Sequence, residues 1–280
     1  MIKMKKNLKF YLKDKLSKKE LQLVPTSFDI VGDIVIFSEF PKKLKKKEKM
    51  IGQTILKNYP HVKTILKKTR KYSGRFRTPK LKVIAGEKRK ETTCRENGVL
   101  MKLDVEKVYF SARMSSERKR IAELIKPNES VLVMFSGCSP YPLVISKNSK
   151  CREVYGIEIN PVAHKYALDN IKKNKLDNKI KLFLGDVKRI LPRINKKFDR
   201  VLMPLPKGGE NFLYLALRYI KNRGVVHFYD FLHEDEFYKA EEKVKAACNR
   251  FKKKFKILKT SKCGQYSPRF YRVCVDFLVD

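Results

Sequence analysis

Short apolar runs that take turns with helical stretches constrain the second half of this chain more than any other feature. SERKRIAELIKPNE has the spacing of a helix that Pro127 stops. VLVMFS, apolar on both faces, leads into YPLVISKNS as a helix. EVYGIEI leads into NPVAHKYALDNIKKNKL, which puts Ala163, Tyr166, Ala167, Asn170 and Ile171 on one helical face. KIKLFLGDV and DRVLMPL supply further strands, FLYLALRYI a helix and GVVHFYDFL another strand. Strands buried on both faces and separated by helices belong to a mostly parallel sheet covered on both sides. The alternation runs to about Gly224, and the tail RFKKKFKILKTSKCGQYSPRFYRVCVDFLVD supplies two last strands around a Gly-Pro loop, as a closing hairpin.

The first hundred residues are built differently. LQLVPTSFDIVGDIVIFSEF has the pattern of a strand pair broken at Gly32-Asp33. MIGQTILKNYPHVKTILKK has helical spacing up to Pro60, and YSGRFRTPKLKVIAGEKRKETTCRENGVLMKLDV has that of short strands joined by Gly and Pro turns. Residues 41–90 hold 19 Lys and Arg against two acids, Glu48 and Glu87, within a chain whose formal net charge is +37. A field this positive draws in a polyanion and makes binding fall with added salt. Thermophily or a Lys-biased genome raises Glu along with Lys, and here the acids stay scarce. A charge run is most often a solvated face, yet Tyr59, Tyr72 and Phe76 lie among these cations, as base stacking beside phosphate contacts requires. Nine further Lys and Arg between Lys243 and Lys262, with no acid, extend the basic surface into the second half. Nucleic acid is the expected partner.

A hydrophobic share of 42% over 280 residues allows one large and one smaller core. The expected division is a basic α+β domain at 1–104 and an α/β domain at 105–280. No stretch approaches the roughly 18 apolar residues of a membrane span, and MIKMKKNLKF lacks the apolar run of a secretory signal, so a cytoplasmic monomer is expected. Cys94, Cys138, Cys151, Cys248, Cys263 and Cys274 are scattered, without the paired spacing of a zinc site or the density of a disulfide scaffold; reduced thiols and no metal are expected.

Ligands of open α/β sheets bind beyond the carboxyl ends of the strands. After VLVM come Phe135, Ser136 and Gly137, then Cys138, Ser139, Pro140 and Tyr141, small residues that let backbone approach a ligand. Glu158, followed by Ile159, ends the next strand, where an acid can accept both hydroxyls of a ribose. Gly185 and Asp186, followed by Val187, offer a carboxylate and adjacent amides to an adenine ring. An acid about 20 residues beyond a Gly-containing loop suits NAD as well as S-adenosylmethionine. The loop favours the latter, because it holds one glycine where a pyrophosphate cradle needs three at set spacing, and a sulfonium has no phosphate to cradle. Any one of these loops alone could be an ordinary βα turn; three in register along one sheet are less easily obtained by chance.

Read together, SFDIVGDIVI, GRFR, KVYFSARMSSER, IEINPVAHKYALDNIKKNK, GDV, MPLPK and YSPRFYRV resemble the archaeal and eukaryotic tRNA (guanine(37)-N(1))-methyltransferases over nearly the whole chain. KVYFSARMSSER is the most specific of these pieces. The resemblance implies a Rossmann-like class I methyltransferase domain preceded by a small basic α+β RNA-binding domain. It implies S-adenosyl-L-methionine as cofactor, the tRNA anticodon stem-loop as partner, and methylation at N1 of the guanosine 3′ to the anticodon. Arg77 matches the family's essential arginine, and Glu117, four residues after Arg113, its catalytic glutamate. Tyr109 matches the tyrosine near the cofactor, Glu158 and Asp186 the cofactor-binding acids, and Arg113, Pro204, Pro206 and Lys207 fall at substrate-binding positions. Three departures stand out: Pro204 replaces the asparagine of the family's Asn-x-Pro loop, an apolar residue near Val133 or Met134 replaces the acid that usually ends the first strand, and the sequence begins too late to include the extra N-terminal domain of many relatives.

Guanine N1 carries a proton and is a poor nucleophile, so methylation needs a base, the role implied for Glu117. Losing that proton puts charge on O6, which a guanidinium such as Arg77 stabilises. The target base must leave its stack, at lower cost in an anticodon loop than in a duplex. Each residue also has a plainer reading. Glu117 occupies a helix first turn where an acid favours the dipole, Arg77 is one phosphate contact among many, and Cys138 is a small buried cysteine rather than a nucleophile. His164 is placed on a helix and His227 at a strand end, with no role. Two alternatives stay open: aminocarboxypropyl transfer in wyosine synthesis on the same nucleotide, and non-catalytic RNA binding with a degenerate cofactor pocket.

Overall fold

A computed structural model describes residues 7–280. MIKMKK, the start of the stretch weighed above as a leader, lies outside the described residues. The chain forms two compact units, 1–95 with 102–112, and 96–101 with 113–280.

The first unit opens with α1 (Leu8–Leu12) and α2 (Lys18–Leu23). Leu21 to Leu23 therefore belong to a helix and not to the expected strand pair. A capping box decides it: Ser17 Oγ accepts from the Glu20 amide at 3.2 Å, and the Ser17 amide donates to Glu20 Oε2 at 2.9 Å. The strand pair itself is β1 (Asp29–Val31) and β2 (Ile34–Phe37), antiparallel around Gly32. Gly32 has φ +56, and a Cβ there would lie 2.2 Å from Thr92 Oγ1, so no other residue fits the turn. Next, α3 (Glu48–Asn58) crosses to β3 (Thr64–Ser73), which pairs parallel with β2 and antiparallel with β4 (Thr78–Gly86). Ile51 and Ile55, one turn apart on α3, pack with Leu8, Leu12, Phe37, Leu44 and Ile65 in this unit's core. The two acids of the basic stretch are used internally, Glu48 by Lys67 and Lys82 and Glu87 by Arg89.

A hairpin of β5 (Glu91–Glu96) and β6 (Val99–Asp104) carries the chain between the units, so the division is not the single cut expected after Asp104. Residues 102–112 stay with the first unit because Val105 and Val108 are buried and Glu106 accepts from the Leu81 amide and Lys90 Nζ, both at 2.7 Å. The hairpin tip goes with the second unit. There Arg118 pairs in bidentate fashion with Glu96 (2.5 Å for each bond), and the Asn174 side chain meets both backbone groups of Leu100 at 2.9 and 2.7 Å.

The second unit follows the expected alternation. Its elements are α4 (Ser115–Leu124), β7 (Ser130–Met134), α5 (Pro140–Asn148), β8 (Glu153–Glu158), α6 (Pro161–Lys173), β9 (Ile180–Leu184), α7 (Val187–Ile194), β10 (Phe198–Met203), α8 (Leu213–Tyr219), β11 (Ile220–His233), α9 (Tyr238–Arg250), β12 (Phe255–Ser267) and β13 (Phe270–Val279). The seven-stranded sheet has the order β12-β13-β11-β10-β7-β8-β9, and the last two strands form the antiparallel hairpin foreseen at the tail. Strand order reverses at β7, with β8 on one side and β10 on the other, and a ligand crevice forms beside such a switch point. Two features differ from expectation. Residues 238–250, read only from Lys243 onward and there only as basic surface, form α9, which buries Ala240, Val244 and Cys248 at four-residue spacing. His227 stands in the middle of β11, fully buried, and not at its end.

Candidate active site

The crevice beside the switch point is built largely from backbone. β7 is buried at every position, and the chain leaves it through Phe135 (φ 60), Gly137 (φ 57) and Ser139 (φ 69), three left-handed residues in five that fold the loop tightly ahead of α5. Glu158, at the end of β8, closes this loop: its Oε2 accepts from the Gly137 amide and its Oε1 from the Asn160 amide, both at 2.7 Å. Glu158 is 9% exposed, and burial raises its pKa against the opposing amides of Asn160, Gly137 and Ile159. Asn160 caps α6 through the Val162 amide at 3.0 Å, which ties the carboxylate to a helix start. The Gly185 amide donates to the Glu158 carbonyl at 2.8 Å, and Asp186 caps α7 through the Lys188 amide at 2.9 Å. The loops after β7, β8 and β9 thus lie side by side, with Ile159 half-buried and Val187 buried among them. Behind them Gly156 leaves no room for a side chain, since a Cβ would lie 2.6 Å from Leu182 Cδ2 and 3.0 Å from Ser136 Oγ.

The loop after β10 lies beside the loop after β7: the rings of Phe212 and Phe135 meet edge-on at 5.0 Å. Within it Pro204 is half-buried, Pro206 buried and Lys207 exposed.

Glu117 is set in the interior. Expected as a first-turn acid of a helix, it does occupy the first turn of α4 but is 4% exposed. Its Oε1 accepts from Tyr229 OH at 2.7 Å and Arg120 Nη2 at 2.8 Å, and its Oε2 from Arg120 Nε at 2.7 Å. Tyr141 OH donates to Tyr229 OH at 3.1 Å, so one hydroxyl relay joins Glu117 to the helix that follows the loop after β7. On the other side Arg120 Nη1 reaches Asp276 Oδ2 at 2.5 Å, His227 Nδ1 lies 2.6 Å from Asp276 Oδ1, and His227 Nε2 lies 2.8 Å from Arg200 Nη1. Arg200 ends the chain on Glu129 at 2.7 and 2.9 Å. Because the Arg200 guanidinium can only donate, His227 is a neutral ring that accepts at Nε2 and donates from Nδ1 to Asp276, and burial lowers its pKa in the same sense. Burial alone would raise the Asp276 carboxyl, but His227 and Arg120 hold it well below the ordinary range. The ligand atoms of His227, Cys274 and Asp276 lie within 4.8 Å of one another, but their bonds to each other and the adjacent guanidiniums of Arg120 and Arg200 oppose a cation there.

Arg113, exposed at the head of α4, belongs to the same unit. Arg77 and Tyr109 belong to the first unit. Arg77 is a left-handed turn residue (φ 50) whose amide donates to the Gly74 carbonyl at 3.1 Å, and the half-buried Tyr109 meets the Tyr72 ring edge-on at 5.3 Å.

Residues 92–258 match the TRM5/TYW2 methyltransferase domain, and residues 8–89 match the TYW2 N-terminal domain. The chain belongs to the TRM5/TYW2 methyltransferase family. Within that family it is 40% identical to the tRNA (guanine(37)-N(1))-methyltransferase Trm5b of Pyrococcus abyssi, over 92% of this chain and 76% of the relative. It is 34% identical to a tRNA(Phe) (4-demethylwyosine(37)-C(7)) aminocarboxypropyltransferase of Methanocaldococcus jannaschii, over 88% of this chain and 95% of the relative. Among solved structures it superposes on aTrm5 in complex with tRNALeu with a TM-score of 0.86 at 31% identity, covering 100% of this chain and 80% of the other. It superposes on Methanocaldococcus jannaschii TYW2 in complex with AdoMet with a TM-score of 0.69 at 28% identity, covering 91% and 99%. The TRM5/TYW2 fold thus accounts for both units. The sequence named Glu117 and Glu158, while Asn160, Arg120, Tyr229 and Asp276 had been given no part. Asn160-Pro161 was visible as a helix start; Tyr229 and Asp276 carry no local signal, since their partners, Glu117 and Arg120, lie 112 and 156 residues away in sequence.

Proposed function

We propose that this protein is a tRNA (guanine(37)-N(1))-methyltransferase that uses S-adenosyl-L-methionine and recognises the anticodon stem-loop. The observation that carries the reading is the pairing, in one unit, of a loop closed by Glu158 with a buried carboxylate, Glu117, linked to that loop through Tyr229 and Tyr141. The residues suit an adenosyl cofactor. Glu158 presents a buried carboxylate at the end of its strand, held by backbone amides, where a ribose hydroxyl can be accepted, while the buried hydroxyls of Ser136 and Ser139 have no partner. When bound, the cofactor supplies an electrophilic methyl group. Phe135, Ser136, Gly137, Ile159, Asp186 and Val187 line the adenosyl side, and Pro204, Pro206, Lys207 and Arg113 the target base. Glu117 takes the N1 proton as the lone pair attacks, and Arg77 stabilises the charge on O6. The tRNA in complex with aTrm5 supports the choice of partner, as does the net charge of +37.

Aminocarboxypropyl transfer is the second reading. It is favoured by Pro204 in place of the loop asparagine and by the 34% identity to the aminocarboxypropyltransferase. Incubation of S-adenosylmethionine with unmodified tRNA and, in parallel, with tRNA carrying 4-demethylwyosine at position 37, followed by mass spectrometry of the digested nucleosides, separates the two. A guanosine heavier by one methyl group, absent when adenosine occupies the position, is expected. An aminocarboxypropyl group on the 4-demethylwyosine with guanosine left unmethylated, or no product with either tRNA, overturns the proposal.

A further inference from the structure

We infer that Tyr229 and Arg120 are positioning residues that hold the Glu117 carboxylate with Oε2 turned to accept the proton. This rests on the reading of Glu117 as the base. Tyr229 and Arg120 Nη2 occupy both lone pairs of Oε1, whereas Oε2 accepts from Arg120 Nε alone and keeps one open. Arg120 cannot swing away, because Nη1 is held by Asp276 Oδ2 at 2.5 Å, and Asp276 is in turn held by His227 at 2.6 Å. The chain Glu117, Arg120, Asp276, His227, Arg200 and Glu129 sets three carboxylates against two guanidiniums around a neutral imidazole, so one proton arriving at Glu117 brings this buried network to neutrality. The device therefore fixes the direction of the accepting lone pair and leaves the network one positive charge short of balance.

The charged and titratable groups facing Glu117 are Arg120 on α4, Tyr141 on α5, Tyr229 on β11 and Cys274 on β13, with Asp276 on β13 and His227 on β11 behind Arg120. Two of them push in opposite senses, which gives the test its signature. Tyr229 donates to the ionised carboxylate and favours it, so Tyr229→Phe moves the ascending limb of the pH–rate profile to higher pH. Asp276 sets a second negative charge on the same guanidinium, so Asp276→Asn moves that limb to lower pH. Single-turnover methyl transfer is measured from pH 5 to 9 at saturating cofactor, with an unmodified tRNA transcript carrying guanosine 3′ to the anticodon. Tyr229→Phe is expected to lower the plateau rate about tenfold, with tRNA affinity unchanged. Arg118→Lys, which loosens the neighbouring pair with Glu96, leaves the limb in place whatever it does to the rate. Limbs that stay put in both variants, or move the same way, overturn the inference, and a rate loss without a shift assigns the residues a structural role only. Should one variant fail to fold, the direction of shift in the other decides. Glu117→Gln separates the two levels: a normal rate there removes the base itself, whereas a lost rate with unmoved limbs in the other variants removes only the positioning.

Discussion

Two glutamates, both nine-tenths buried or more, are held in this fold by opposite means. Glu158 is fixed by amides from its own strand end and from the loop after the neighbouring strand, so its setting follows from the sheet. Glu117 is fixed by side chains from a helix, a central strand and the antiparallel hairpin, none near it in sequence except Arg120. Backbone holds a carboxylate with partners that point mutation cannot remove. Side chains let its orientation and charge balance be tuned, at the cost of a network that fails when one member is lost.

The sharpest way to break this contrast is Arg200→Leu, which strips the cation from Glu129 and His227 without approaching Glu158. Leaving a fully buried carboxylate unpaired costs about 3–5 kcal/mol, and the half-buried Glu129 sets the expectation at the lower end of that range. Chemical denaturation should show a loss of that size, with the cofactor affinity of the folded protein retained. A loss below about 1 kcal/mol means that the side-chain network does not hold this part of the sheet.

Gly156→Ala tests the backbone side. Its new Cβ falls 2.6 Å from Leu182 Cδ2 and 3.0 Å from Ser136 Oγ, so the crevice must shift. Overpacking of this kind costs about 1–3 kcal/mol, and calorimetry should find weaker cofactor binding with tRNA affinity unaltered. Unchanged cofactor binding would place the ligand elsewhere.

The smallest effect is expected at Asp199, an intermediate case held by the Ser130 amide at 2.8 Å, Ser130 Oγ at 2.6 Å and Lys221 at 2.9 Å. Despite burial, these donors bring its pKa from 3.8 down to about 2. The folded value lies below the unfolded one, so the stabilisation is complete above the unfolded pKa and disappears as pH falls through about 2. Asp199→Asn should therefore lose stability at neutral pH, by less than about 1 kcal/mol for so exposed a group, and flatten the acid-unfolding curve in that window. A curve that keeps its slope assigns the acid sensitivity to other carboxylates, with Asp276 the first to test.

The same contrast explains what was legible in the sequence. β7 and β8 could be read as strands because burial on both faces forces unbroken apolar runs, and Glu158 could be placed because it ends one of them. α9 was missed although Ala240, Val244 and Cys248 carry helical spacing, because the lysines around them drew attention to charge. The His227 position was misjudged because β11 extends to His233, well past the apolar run that revealed it. Arg120 lay one turn from Glu117 and could have been paired with it, whereas Tyr229 and Asp276 needed the fold.

The most direct test of the central claim is single-turnover methyl transfer by Glu117→Gln at saturating tRNA and cofactor, with thermal unfolding followed in parallel. The variant keeps the shape of the side chain and removes its ability to take a proton. A rate lowered by about a hundredfold or more, in a protein that still melts cooperatively and binds tRNA as before, is the predicted result. A rate close to that of the unaltered protein contradicts it.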